Sequence, residues 1–140
     1  MPGPRNNGGV RRLLLAILAA LLAGAPAAHA AGDPLRARQW GLDVIRADAA
    51  HSVSRGDGAL VAVIDTGVVA AHEDLQGRLL PGKDFVEDDD TPQDGDGHGT
   101  HVSGIVAASA GNGIGVSSVA PGARVLPVRV LGDDGSGSDS

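Results

Sequence analysis

The sequence contains no cysteine, which excludes disulfides, thiol catalysis and thiolate metal sites. It has no basic excess: 17 acidic residues stand against 11 lysines and arginines, for a formal net charge of −6. A nucleic-acid partner would call for the opposite balance, so none is expected. There is no second copy of the Asp-Thr-Gly at 65–67, so the two like carboxylates of an aspartic-protease dyad are missing. No internal repeat is visible. The longest apolar run is too short to span a bilayer comfortably, which argues against a stable membrane anchor.

That run lies near the start of the chain. Arg5, Arg11 and Arg12 precede uninterrupted apolar residues from Leu13 to Ala23, and Gly24, Pro26 and the small-residue site Ala28-His29-Ala30 follow. A basic start, a short apolar middle and an A-x-A-like site describe a secretory signal peptide over residues 1–30, and so a secreted protein. The rival reading is a buried or membrane-anchoring helix, but a core helix would show polar residues at helical period. The adjacent Arg11-Arg12 also admits a twin-arginine route. Cleavage after Ala30 takes away those three arginines and no acid, moving the net charge from −6 to −9. An exported protein without disulfides needs another staple, and bound calcium is a common one.

Residues 31–55 read as a polar, partly helical lead-in, with Trp40, Leu42, Val44, Ile45 and Ala49 able to pack one side and Arg46 and Asp48 outside. Arg55-Gly56-Asp57-Gly58 is a turn. Ala59 to Ile64 is a near-continuous apolar run of strand length, the pattern of a strand buried on both faces of a parallel sheet. Asp84 to Gly97, dense in acids and glycine, is a loop. From His98 the small and branched residues suit a helix packed on a sheet, with Asp94 and Asp96 ahead of its positive end. Gly111 to Gly115 closes that helix, and Arg124 to Leu131 is a second apolar strand containing Pro127. Strand, loop, helix and strand in that order predict an α/β fold with right-handed crossovers.

Chemistry concentrates at two places. Asp65 sits just past the carboxyl end of the first strand, where open α/β sheets place functional groups. A buried Asp is costly unless paired, although an isolated Asp-Thr-Gly also serves as a cap or turn. His98 and His101 are spaced i, i+3 at the helix start, so both can face one side of its first turn. As a zinc pair they lack a third ligand, and Gly99 stands where the common zinc-peptidase helix has its glutamate. As a general base, His98 needs only an Asp to orient it and flanking glycines that admit substrate. Asp65, Gly97 and Gly99 meet those needs, giving two-thirds of a hydrolytic triad.

The ordered set Val-Ile-Asp-Thr-Gly, His72-Glu73-Asp74-Leu75, Asp-Gly-His-Gly-Thr-His-Val-Ser-Gly, Val119-Ala120-Pro121 and Val-Arg-Val-Leu with Gly-Ser-Gly resembles the subtilisin family of serine endopeptidases, its thermitase-like branch above all. The match is collinear from roughly Gln39 to Ser138. It implies a three-layer α/β fold with a mostly parallel sheet, with residues 56–140 forming the first third to half of a catalytic domain. It further implies that Asp65 is the triad carboxylate and His98 the general base, with His101 supporting the helix. Gly135, Ser136 and Gly137 match the edge that pairs with an extended substrate backbone. No nucleophile motif like Gly-Thr-Ser-Met-Ala is present. Ser103, Ser109, Ser117 and Ser118 fall elsewhere in the pattern, so the chain reads as the front part of a longer enzyme acting on polypeptides, monomeric when complete. The rival is a non-catalytic calcium-binding or pseudoenzyme module.

Calcium takes six to eight oxygens from carboxylates, amides and carbonyls on a flexible loop, and Asp84 to Gln93 offers them densely. A solvated acidic loop would look the same. The resemblance assigns Asp84, Glu87, Asp89, Thr91 and Gln93 to a structural calcium loop, with Glu87 standing where the family has an aspartate. It implies a second site built from Asp74, the Asn112 side chain and the carbonyls of Ala110, Ile114 and Val116.

Overall fold

The computed structural model describes residues 32–138. The expected signal segment lies outside them. Three parallel strands form one sheet: β1 (Leu60–Asp65), β2 (Lys83–Asp84) and β3 (Arg124–Arg129), in the order β1-β3-β2. The register pairs Leu60 with Arg124 through Asp65 with Arg129, and Asp84 also meets Arg129 across the other edge. Two short helices, α1 (Trp40–Val44) and α2 (Ala47–His51), precede the sheet, and α3 (His98–Ala107) lies between β2 and β3 in sequence.

The core follows from strand alternation. Val63 of β1 and Val125 of β3 point to one face, where they are buried with Ala107 and Ala123, and Val61, Leu79, Val102, Val106 and Ala120 pack against them. Helix α3 covers this face through Val102, Val106 and Ala107, residues small enough to let a helix lie close to a sheet. Pro127 sits opposite Val63 in the middle of β3. It cannot donate to the ladder, and the backbone crowds there: a Cβ on Gly82 would come within 2.1 Å of the Pro127 carbonyl oxygen.

Three expectations are corrected. Strand β1 is not buried on both faces: Leu60 and Ile64, on the side opposite the core, are 57% and 64% exposed. Helix α3 packs on one face of the sheet; on the other, Leu126 and Val128 of β3 are half-buried, while the outer side of β1 lies open. In the lead-in, Leu42 is buried, whereas Trp40, Val44 and Ile45 stay exposed, because Arg46 takes a left-handed backbone (φ 56°) and splits the segment into two helices too short to share one apolar stripe. The second strand ends at Arg129 and not at Leu131.

Replacing Val125 with alanine leaves a void in the fully buried centre and is expected to destabilise the fold by about 2–3 kcal/mol. Val53→Ala, at an 89% exposed position, is expected to stay within about 0.5 kcal/mol. Urea midpoints at unchanged slope measure both.

Candidate active site

Asp65 ends β1 and Thr66 begins the turn away from the sheet. The Asp65 carboxylate is buried, and its Oδ1 accepts the Thr66 N–H at 2.7 Å. His98 opens α3 from across the crossover, and its Nδ1 lies 2.8 Å and 2.9 Å from Oδ1 and Oδ2 of Asp65. A carboxylate can only accept, so Nδ1 carries the proton and Nε2 is left as the basic nitrogen. Nε2 faces outward: the His98 side chain is 61% exposed. The expected pair is therefore assembled, in the orientation a general base requires.

A close approach makes this possible. Gly99 lies against the turn after β1, where a Cβ would stand 2.2 Å from the Gly67 carbonyl oxygen and 3.2 Å from the Asp65 Cβ. Any side chain at 99 would push the helix, and His98 with it, off the strand end.

The two partners shift each other's acidity. The hydrogen bond that His98 donates to Asp65, then the negative charge of Asp65, hold the His98 imidazolium above its ordinary pKa, with smaller help from Asp96 and Asp94. At Asp65 burial pushes the pKa up, but hydrogen bonds from His98 and the Thr66 N–H outweigh it and leave the carboxyl below its usual value. The histidine's contribution to stability is thus full below pH 6.5 and is lost as pH rises through its raised folded value. The aspartate's is present above pH 3.8 and is lost as pH falls through its depressed folded value.

Residues 132–136 form a turn in which the Gly132 N–H donates to the Ser136 carbonyl at 2.8 Å. The expected substrate edge, Gly135 to Gly137, overlaps this turn beside the helix start: the Gly135 N–H donates to the Gly132 carbonyl at 2.9 Å, and Gly137 lies just beyond. A Cβ on Gly135 would meet Asp96 Oδ2 at 3.7 Å, and one on Gly95 would meet Asp133 Oδ1 at 2.2 Å. Asp96 itself accepts the His98 N–H, so edge and base share a wall. His101 is exposed and makes no side-chain hydrogen bond among the described residues; with His72 it lines a cavity of about 480 Å³. Three of the serines weighed from the sequence have their hydroxyls away from His98: that of Ser103 is buried, that of Ser109 accepts from Arg78, and that of Ser118 donates to the Ala108 carbonyl.

The two acidic loops differ. Asp84 Oδ1 accepts the Val86 and Glu87 N–H groups, and Oδ2 accepts Arg129 Nη1 at 2.8 Å. Burial raises the Asp84 pKa, but those partners prevail and lower it. Three of its roughly four lone-pair positions are used. Asp89 packs back on Asp84 through paired backbone bonds, and its Oδ1 accepts the Thr91 N–H. Glu87, Asp88 and Asp90 stand exposed nearby, with Lys83 3.4 Å from Asp88 and 3.6 Å from Asp90. In the other loop, buried Asp74 holds Asn112 Nδ2 at 3.0 Å and the Val116 N–H at 2.8 Å, and Asn112 Oδ1 accepts from Ile114. Only the oxygens of these residues are hard ligands of the kind calcium takes; the Asn112 Nδ2 and Val116 N–H groups are donors to Asp74, and among the described residues no group of three or more carboxylates or histidines stands close enough together to hold a metal.

Sequence reasoning missed three participants. Asp33 reaches 78 residues along the chain to accept the Gly111 N–H with both oxygens; a lone Asp in the lead-in carried no signal for this. Arg129 joins Asp84 to Asp133, the latter contact also at 2.8 Å; only its register opposite both Asp65 and Asp84 reveals the role. Asp94 was expected ahead of the helix, but not as the hub that takes Thr66, Gly97 and Thr100 together.

Asp65→Asn keeps the shape but removes the charge that raises the His98 pKa. The His98 titration is expected to move down toward 6.5, followed by imidazole resonances in NMR against pH. An unchanged midpoint would mean that Asp65 does not govern this histidine.

Residues 56–140 match the subtilase family. Over 107 residues the chain is 48% identical to thermitase of Thermoactinomyces vulgaris, covering 76% of this chain and 38% of that protein. It is 49% identical to subtilisin Savinase of Lederbergia lenta over 72% of this chain and 36% of that one. Among solved structures, a protease of Pseudoalteromonas arctica aligns at 35% identity with a TM-score of 0.64, covering 74% of this chain and 40% of that one. A cold-adapted subtilisin-like serine proteinase aligns at 42% identity and a TM-score of 0.53, over 61% and 29%. The chain thus spans well under half the length of these relatives. Family match, relatives and α/β architecture agree with the Asp65–His98 geometry, and the chain belongs to the subtilase family.

Proposed function

We propose that this chain supplies the Asp-His part of an exported serine endopeptidase, and that the nucleophilic serine and its oxyanion donors reside in sequence outside these 140 residues. The observation that carries the reading is the Asp65–His98 contact at 2.8 Å, which protonates Nδ1 and leaves Nε2 basic and exposed. In the reaction, His98 Nε2 takes the proton of a serine hydroxyl as that oxygen attacks a peptide carbonyl, then returns it to the leaving amine. Asp65 holds the ring and offsets the imidazolium charge that forms between those steps. An extended polypeptide substrate runs along Gly135 to Gly137, next to the wall shared with Asp96. The signal-like segment 1–30 supports export.

Full-length protein is expected to cleave peptide substrates and to be blocked by serine-acylating reagents, while the 140-residue chain alone is inert. His98→Ala should cost on the order of a millionfold in kcat, a scale taken from measurements on subtilisin itself. His101→Ala should chiefly lower stability. Equal catalytic losses at both histidines with folding intact would point to a metal pair instead.

Calcium fits the same reading as a structural ion. One site would be formed by Asp84, Glu87, Asp89, Thr91 and Gln93, and the other by Asp74, Asn112 and the carbonyls of Ala110, Ile114 and Val116. The ion would screen carboxylates packed close together and tie down the loop that leads into His98. At free calcium a hundred times the dissociation constant, the full-length protein should gain about 2.7 kcal/mol per site. Asp89→Ala should shrink the difference in melting temperature between calcium and chelator more than Asp88→Ala does. Asp88 holds only an exposed ion pair with Lys83, of small worth. Equal calcium responses in both variants and wild type would leave the loop as a solvated acidic face.

A further inference from the structure

His98 is held loosely by its own side chain. The side chain is 61% exposed and is anchored through Nδ1 by Asp65. Its orientation therefore depends on where the backbone puts it, and that backbone is gripped on both sides. The Gly97 N–H donates to Asp94 Oδ1 at 2.8 Å, and the Gly99 N–H donates to Thr66 Oγ1 at 2.9 Å. Thr66 in turn donates its hydroxyl to Asp94 Oδ1 at 2.8 Å. The other carboxylate oxygen accepts the Thr100 N–H at 2.9 Å and the Thr100 hydroxyl. Thr100 Oγ1 also takes the Val69 N–H at 2.9 Å.

Asp94 is thus a buried carboxylate, 8% exposed, whose partners come from the strand end and the helix start alike. Burial alone would raise its pKa, yet these donors hold it down at about 2. The helix has no cap from its own N-cap residue, which is Gly97; Asp94 replaces it from three residues upstream. Thr66 is the neighbour of Asp65, and Gly97 and Gly99 are the neighbours of His98. One network therefore fixes the residues next to both members of the pair.

Taken with the hydrolytic reading above, on which it rests, we propose that Thr66 and Asp94 are positioning residues that set the His98 imidazole against Asp65 through the backbone of the first turn of α3. The Thr66 hydroxyl is the discriminating group. It is the hydrogen-bonded link from the residue after Asp65 to both Asp94 and Gly99, and removing it leaves the bonds that Gly97 and Thr100 donate to Asp94 as a simple helix cap.

The test uses full-length protein at saturating calcium, with Thr66→Val, Thr66→Ser and Asp94→Asn. Two readouts are taken on the folded fraction, whose size is set by circular dichroism. The first is hydrolysis of a peptide p-nitroanilide. Thr66→Val, which keeps the shape and loses the hydroxyl, is expected to lower kcat by about a hundredfold, the scale of a small misplacement of a catalytic group, with KM within about twofold; Thr66→Ser is expected to restore most of the loss. The second readout is the His98 Nδ1–H resonance in ¹⁵N NMR. It should weaken and its titration midpoint should fall in Thr66→Val and Asp94→Asn, but not in Thr66→Ser. This arm needs no turnover, so it still decides the positioning role if the hydrolytic reading fails. An unchanged Nδ1–H resonance in folded Thr66→Val would overturn the proposal. So would equal losses in the valine and serine variants, which would assign the effect to packing and not to the hydroxyl. If Asp94→Asn does not fold, the two Thr66 variants carry the decision.

Discussion

Everything at the site depends on the parallel pairing of β1 with β3. Parallel neighbours run in the same direction, so the chain leaving Asp65 must travel back before β3 can start. Residues 66–123 make that return, and α3 is its final covered leg. The connection places the start of α3 beside the carboxyl end of β1, where a strand-end carboxylate and a helix-start imidazole can meet. The same pairing sets Arg129 opposite Asp65 on one side and opposite Asp84 on the other. A slip of one residue would send Arg129 to the other face and break its contact with Asp84.

The chain carries far more acid than base, yet its buried carboxylates are mostly answered by backbone N–H groups. Asp33, Asp65, Asp74, Asp84 and Asp94 each accept at least one. Among the five, Asp84 alone adds a full cationic partner from a guanidinium. Glycine-rich turns expose their amides, and a carboxylate that accepts two or three of them stays ionised in a buried place. The sequence needs few cations because its loops supply partial positive charge.

How much of this was legible depends on the range of each signal. Asp65 and His98 were readable because each sits in a short motif whose neighbours explain it: an apolar strand before the one, glycines around the other. The two main strands and α3 were readable from apolar runs and small residues. Asp33 was not, since its partners lie far along the chain and no local period marks it. The exposure of Leu60 and Ile64 was misread for a related reason: an apolar run states that a strand suits burial on both faces, not that both covers are among these residues. Trp40 failed differently, because a single left-handed residue, Arg46, broke the stripe that its neighbours suggested.

Lys83 is the only lysine in the sequence, and it stands at the head of the acidic loop within reach of Asp88 and Asp90. Both carboxylates raise its pKa against the lowering effect of burial, so its amine is a poorer nucleophile than a free lysine. Acylating reagents that attack amines therefore have one side-chain target in the whole chain, and its reaction rate reports the charge state of that loop. Whatever takes Asp88 and Asp90 away from Lys83 leaves the amine faster to react.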